Sequence, residues 1–362
     1  MNIQTKTKPA RGLRSVRGPC APGHAGVKTI NLALQGGGAH GAFTWGVLDR
    51  LLEDDRIAFD GIVATSAGAM NASVLAYGLA EGGPQGARSA LTNFWRRISH
   101  SANLSPLQPS LYDRVTGNHS LDNSPAFLMF DLITRLFSPY QFNPMNHNPL
   151  RGVLEQSVDF EAIRRSTCPV KVFLCATNVR TGKVKVFDNS QLTADAVLAS
   201  ACLPFLFQAV EVDGEAYWDG GYMGNPALFP LIYSCDSRDV LIIHINPLSR
   251  EEVPTTATGI LNRINEISFN SSLMREMRAI AFVTSLIDQD ANLASKLKKM
   301  LVHSISADDV MTALGVASKL NADWEFLIHL RDAGRARASA WLDVNFSRLG
   351  KESTVDITST FL

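Results

Sequence analysis

The sequence has no surplus of charge, no long apolar run and no paired cysteines, and each absence narrows what it can do. Lys plus Arg number 34 and Asp plus Glu 34, for a formal net charge of zero. That balance argues against a dedicated nucleic-acid binder, which carries an excess of Lys and Arg. No stretch reaches the roughly 18 consecutive apolar residues that a membrane span requires. The five cysteines (Cys20, Cys168, Cys175, Cys202, Cys235) are scattered and odd in number. They read as reduced thiols of a cytosolic protein, with neither a disulfide frame nor a zinc site. What is present is an ordinary globular composition, 46% apolar and 19% charged over 362 residues. It excludes a mainly disordered chain and suits one large domain or two.

The zero balance hides an asymmetry. Residues 1–28 hold Lys6, Lys8, Arg11, Arg14, Arg17 and Lys28 and no acidic residue, so the rest carries 28 basic against 34 acidic groups. The segment reads as a basic, disordered tail, with a charge that suits anionic lipid. No apolar region follows the charges, so it does not read as a secretory signal.

Ordered sequence is expected from Thr29. A short apolar strand at 29–34 leads into Gly36-Gly37-Gly38-Ala39-His40-Gly41, and then into a helix-period run through Phe43, Val47, Leu48 and Leu51. A second strand near 59–64 leads into Thr65-Ser66-Ala67-Gly68, followed by helical runs at 69–79 and 85–98. Strand, glycine turn, helix, repeated, is the pattern of an α/β domain with a parallel sheet. Residues 101–150 break the pattern. They are rich in Asn, Pro and Ser around one apolar island, 124–137. With Ser124 and Pro125 at its start, the island reads as a helix, either buried in the core or serving as a flap that touches lipid. Strand hairpins are expected at 170–176 with 183–187 and at 210–212 with 215–218, a helix at 193–200, and a buried strand at 239–246. Long helices follow from 255, with further helical runs at 291–303, 306–320 and 322–346.

Three sites carry chemistry. In the loop 36–41, consecutive glycines let backbone N–H groups converge on one point, and the next helix adds its positive end. Such a loop binds a phosphate or the oxyanion of an acyl-transfer intermediate. Ala64-Thr65-Ser66-Ala67-Gly68 is close to the G-x-S-x-G nucleophile elbow, with Ala64 in place of the first glycine. Small neighbours allow the sharp bend that exposes the serine oxygen, and Ala67 N–H can face the same oxyanion. Asp219-Gly220-Gly221 places a carboxylate on a turn that other loops can approach closely, able to accept a hydroxyl proton.

Each site has a rival reading. Gly36, Gly38 and Gly41 also satisfy G-x-G-x-x-G, but the second strand ends in Ala64-Thr65-Ser66 without the acidic residue of a dinucleotide site. A Ser-His-Asp triad lacks an evident histidine. His24 lies in the tail, His244 in a strand where it reads as a satisfied core residue, and His303 and His329 in the C-terminal region. His100, His119 and His147 occupy no evident loop after a strand. A serine and an aspartate are preferred.

With the glycine loop, the elbow, Ala199–Pro204 and Asp219-Gly220-Gly221 in this order, the chain resembles patatin-like phospholipases over about 29–250. The resemblance implies an α/β fold: three α/β/α layers, a mainly parallel central sheet and a helical C-terminal extension. The corresponding divisions are a tail at 1–28, a hydrolase domain at 29–250 with 101–150 as insertion or flap, and an extension at 251–362. It implies a lipid acyl hydrolase of phospholipase A or lysophospholipase type, with an acyltransferase on the same dyad or an inactive lipid-binding protein as alternatives. Ser66 is then the nucleophile and Asp219 its general base. Gly36, Gly37, Gly38 and Ala67 form the oxyanion hole, and His40, Gly41, Ala64, Gly68, Gly220 and Gly221 support the motifs. No cofactor or metal is implied. The implied partner is phospholipid or another acyl lipid, with a cytoplasmic location peripheral to the inner face of the membrane. The family often has Arg or Lys where this chain has His40, so a pH-dependent effect is expected there.

Overall fold

The computed structural model describes residues 26–103, 105, 107–108, 120–121 and 124–362. The expected basic tail and Cys20 lie outside these residues, as does much of 101–123. Lys28, counted with that tail, is instead the first residue of a strand, and its Nζ donates to Leu349 O.

Eight strands form one sheet. They are β1 Lys28–Leu34, β2 Ile57–Ala64, β3 Lys171–Asn178, β4 Val184–Asp188, β5 Val210–Val212, β6 Glu215–Asp219, β7 Asp239–Ile243 and β8 Leu301–Ile305. The order is β5-β6-β3-β2-β1-β7-β8, with β4 also on β3. From β3 through β8 the strands run parallel, and β4, β5 and β6 are antiparallel additions. Because both faces are covered, the central strands are mainly apolar instead of alternating. Leu32, Leu34, Ile62 and Ala64 face one buried cluster, while Ala33, Val63, Cys175 and Ile242 face the other.

On the first face pack α1 (Gly41–Leu52), α2 (Ala67–Ala102) and the late helix α6 (Trp324–Asn345); on the second packs α5 (Ala257–Gln289). The two expected helices after Ser66 are one element bent at Gly82 and Gly83, which leave helical geometry before Pro84. Between α2 and α5 in sequence come α3 (Pro125–Leu136) and α4 (Ala194–Ser200). None of the α3 residues is buried, which corrects the core-helix reading of 124–137. The expected hairpins form, and the turn at Asp213 and Gly214 has positive φ at both residues.

The C-terminal region is mainly helical but not wholly so. Residues 301–303, expected to end a helical run, instead begin β8, which is parallel to β7. Helix α6 lies against α1 so closely that a Cβ on Gly334 would sit 2.2 Å from Phe43 O.

Candidate active site

Strand β3 acts as a ruler. Along one of its edges, β2 pairs from Lys171 to Leu174 and β6 pairs from Ala176 to Asn178. Ala64 is opposite Leu174 and Asp219 opposite Ala176. The end of β2, with Ser66 just beyond it, therefore meets the end of β6.

Ser66 caps α2 with φ 57° and ψ −123°. A non-glycine residue there is strained, at a cost on the order of 1–3 kcal/mol, and persists only if its surroundings hold it. They do so on three sides. Thr65 N–H donates to Leu34 O (3.2 Å) and Thr65 Oγ1 to Gly224 O (2.6 Å). Ser66 N–H donates to Ser200 Oγ (3.0 Å), whose own hydroxyl donates to Cys175 O (2.6 Å). The glycine loop closes the third side, where a Cβ on Gly36 would lie 2.5 Å from Ser66 Cβ. Ala64 is fully buried at the end of β2, and its methyl is accommodated.

The loop 36–41 runs from β1 into α1. Gly36 N–H donates to Asn225 Oδ1 (2.7 Å), which holds the loop but removes that N–H from the free donors expected of it. Among the described residues, Gly37 and Gly38 N–H donate to no protein acceptor. Ala67 N–H opens α2, where the first amides have no intrahelical partner. Gly41, Gly68, Gly220 and Gly221 are close-approach points. A Cβ on each would come within 3 Å of Ala67 Cβ, Leu34 O, Cys175 O and the Phe269 ring, respectively.

Asp219 is fully buried. Its N–H donates to Cys202 O (2.7 Å), its carbonyl accepts from Thr177 Oγ1 (2.8 Å), and its Oδ1 accepts from Gly221 N–H (2.7 Å). Oδ2 has no hydrogen-bond partner among the described residues. Burial pushes the carboxyl up to about 6, against the opposing pull of Gly221 N–H, the Ser66 hydroxyl and Lys319. The Ser66 hydroxyl is thus near enough to favour the carboxylate without standing in hydrogen-bonding geometry.

His40 is buried, and its Nε2 lies 2.8 Å from Ser318 Oγ, which itself donates to Gly315 O. Burial, with Lys319 nearby, takes the imidazole down to about 3. His40 is therefore neutral across the physiological range, and the pH effect expected of it has no titrating group there. His244 is buried as expected but not satisfied, since neither ring nitrogen has a partner among the described residues.

Sequence reading missed Ser200, Asn225 and Lys319. Ser200 stood inside the quoted block Ala199–Pro204, whose small residues and position before Asp219 were its only signal. Asn225 lies six residues past Asp219 and Lys319 far downstream, and neither belongs to a motif.

The structure thus brings the strand-elbow-helix at Ser66, the glycine loop and the buried carboxylate of Asp219 to one end of the sheet. A family model, patatin-like phospholipase, matches residues 32–232, more than half of the chain. The chain belongs to this family. No curated protein matches. Among solved structures it is similar to VipD from Legionella pneumophila, at 16% identity and a TM-score of 0.41, over 87% of this chain and 66% of that one. It is also similar to the heterodimeric ExoU-SpcU complex from the type III secretion system of Pseudomonas aeruginosa. There the identity is 16% and the TM-score 0.39, over 89% of this chain and 52% of that one. This chain thus spans two thirds or less of those proteins' lengths. No helix among the described residues is long and apolar enough to cross a membrane.

Proposed function

We propose that this patatin-like phospholipase cleaves carboxylic esters of phospholipid or lysophospholipid through a Ser66–Asp219 dyad and an acyl-enzyme. Ser66 Oγ attacks the ester carbonyl as Asp219 Oδ2 takes the hydroxyl proton. The carbonyl oxygen gains its charge against Gly37, Gly38 and Ala67 N–H. Collapse expels the alcohol, which leaves with that proton, and the acyl group remains on Ser66. Water, deprotonated by Asp219, then attacks the acyl-enzyme and releases the fatty acid. The observation that carries this reading is Ser66 held at positive φ beside a buried carboxylate, one oxygen of which has no hydrogen-bond partner among the described residues.

The reaction takes place at a lipid surface. Helix α3 exposes Leu128, Met129, Leu132 and Leu136, and Phe137 follows, all about half exposed or more. The next residues tie this flap to the loop after α4, since Tyr140 Oη accepts from Ala209 N–H and Gln208 Nε2 donates to Asn143 O. That loop follows Ser200 and Cys202, which hold Ser66 and Asp219. An apolar helix anchored there presents the site to acyl chains.

Labelling with a fluorophosphonate probe tests the dyad. The wild-type chain is expected to label and Ser66→Ala not at all. Labelling that survives Ser66→Ala, or none in the folded wild type, refutes the assignment.

A further inference from the structure

The loop 36–41 carries no charged side chain of its own, because its one titratable residue, His40, is neutral. A cation reaches it from the C-terminal region. Lys319 lies on a 3-10 turn, Ala317–Leu320, that covers the loop. Gly38 has φ 59°, and a Cβ there would lie 2.3 Å from Lys319 O, so loop and turn are in backbone contact. Lys319 Nζ donates to Asn246 Oδ1 (3.0 Å) and Asn265 Oδ1 (3.1 Å), both neutral amides. Asn246 Nδ2 in turn donates to Gly36 O (2.8 Å). On the other side, Nζ lies 5.7 Å from the centre of the Phe269 ring. That ring presses on Gly221, whose N–H holds Asp219. Lys319 Nζ is thus one residue removed from both the glycine loop, through Asn246, and the Asp219 turn, through Phe269 and Gly221.

Lys319 is half-buried, and an ammonium drawn out of water usually has a carboxylate against it. Among the described residues none lies within ion-pair distance of Lys319. The charged groups that face it are Glu266 on α5, already bound by Arg250 and Arg263, and Asp219. Between Lys319, Glu266, Asn246 and His40 is a cavity of about 10 Å³, room for one water at most.

We propose that Lys319 is a positioning residue of the hydrolase site, an electrostatic support that holds Asp219 ionised and makes the glycine loop positive toward the developing oxyanion. This rests on the Ser66–Asp219 reading above. Burial brings the ammonium down to about 8, with Glu266 and Asp219 opposing. The rate should therefore follow a bell, rising as Asp219 loses its proton near pH 6 and falling as Lys319 loses its own near pH 8.

The test is the rate of fluorophosphonate labelling of the full chain from pH 4.5 to 9.5, with thermal melts alongside. Lys319→Met is expected to move the acid limb up by about one pH unit and to abolish the alkaline fall. Asn265→Asp keeps the lysine but gives it a direct counter-ion. It is expected to raise both limbs, so it carries the test if Lys319→Met does not fold. Folded variants with the wild-type profile overturn the proposal while leaving the dyad intact. Loss of Ser66-dependent labelling in the wild type overturns the dyad and this proposal together.

Discussion

Replacing Asp219 by Asn should remove activity and at the same time make the protein more stable. Asn keeps the acceptor for Gly221 N–H and removes a charge that burial disfavours. The rise from 3.8 to about 6 corresponds to roughly 3 kcal/mol by which the folded chain disfavours the ionised form. A carboxyl with a raised folded pKa stabilises the fold below its unfolded pKa and loses that contribution as pH climbs through about 6. At pH 7.5 the wild type has lost it, whereas the amide of the variant never carries the charge. The variant should gain up to about 3 kcal/mol there, or roughly 4 °C in Tm for a chain of this length. By pH 4.5 the folded wild type is protonated as well, and the gain should shrink to about 1 kcal/mol. Loss of a general base should cut the labelling rate about 10²–10⁴-fold. Melts at both pH values and labelling at pH 7.5 decide the matter. A variant less stable than wild type at pH 7.5, or one with the same gain at both pH values, would show that Asp219 is not held against its preference.

Two further outcomes follow from the geometry. Ser200→Ala should leave Ser66 N–H and Cys175 O without their buried partner. A melt should show a cost of about 1–3 kcal/mol, with slower Ser66 labelling as the elbow loosens; unchanged labelling would refute its part in holding Ser66. Converting Leu128, Leu132 and Leu136 together to Ser should change stability by about 0.5 kcal/mol or less for each substitution, because none is buried. Hydrolysis of vesicle phospholipid should fall well below that of a short soluble ester, and an equal fall on both would show the helix to be structural.

The loop 36–41 and the elbow at Ser66 were legible because each joins a mainly apolar strand to a turn of small residues and a period-3.6 helix. The loop 36–41, the elbow at Ser66 and the turn at Asp219 all stand at strand ends, where the sequence placed them. Their meeting was not legible in detail, since it depends on β2 and β6 sharing an edge of β3. Strand β8 was missed because five residues with only Leu301, Val302 and Ile305 apolar are ambiguous between buried strand and helix, and its partner β7 lies far back in the sequence. Helix α3 misled in the opposite direction. Its apolar composition matches a core helix, and only the tertiary structure shows that none of its residues is buried. Lys319 gave no signal at all, because a single lysine between helices is ordinarily a surface residue.

The stretch by which the family is recognised is not the stretch that can fold. β1 lies between β2 and β7, and β7 begins at Asp239, beyond the last matched residue, 232. A chain ended at 232 would keep every motif named here yet leave Asn31–Leu34 with a bare edge of backbone amides and carbonyls at the centre of the sheet. Such an edge is a template for pairing with a second copy. Transplanting the activity by its motifs alone should therefore yield aggregate. A graft that carries the chain through Asn345 would bring β7, β8 and the α6 cover for α1 with it.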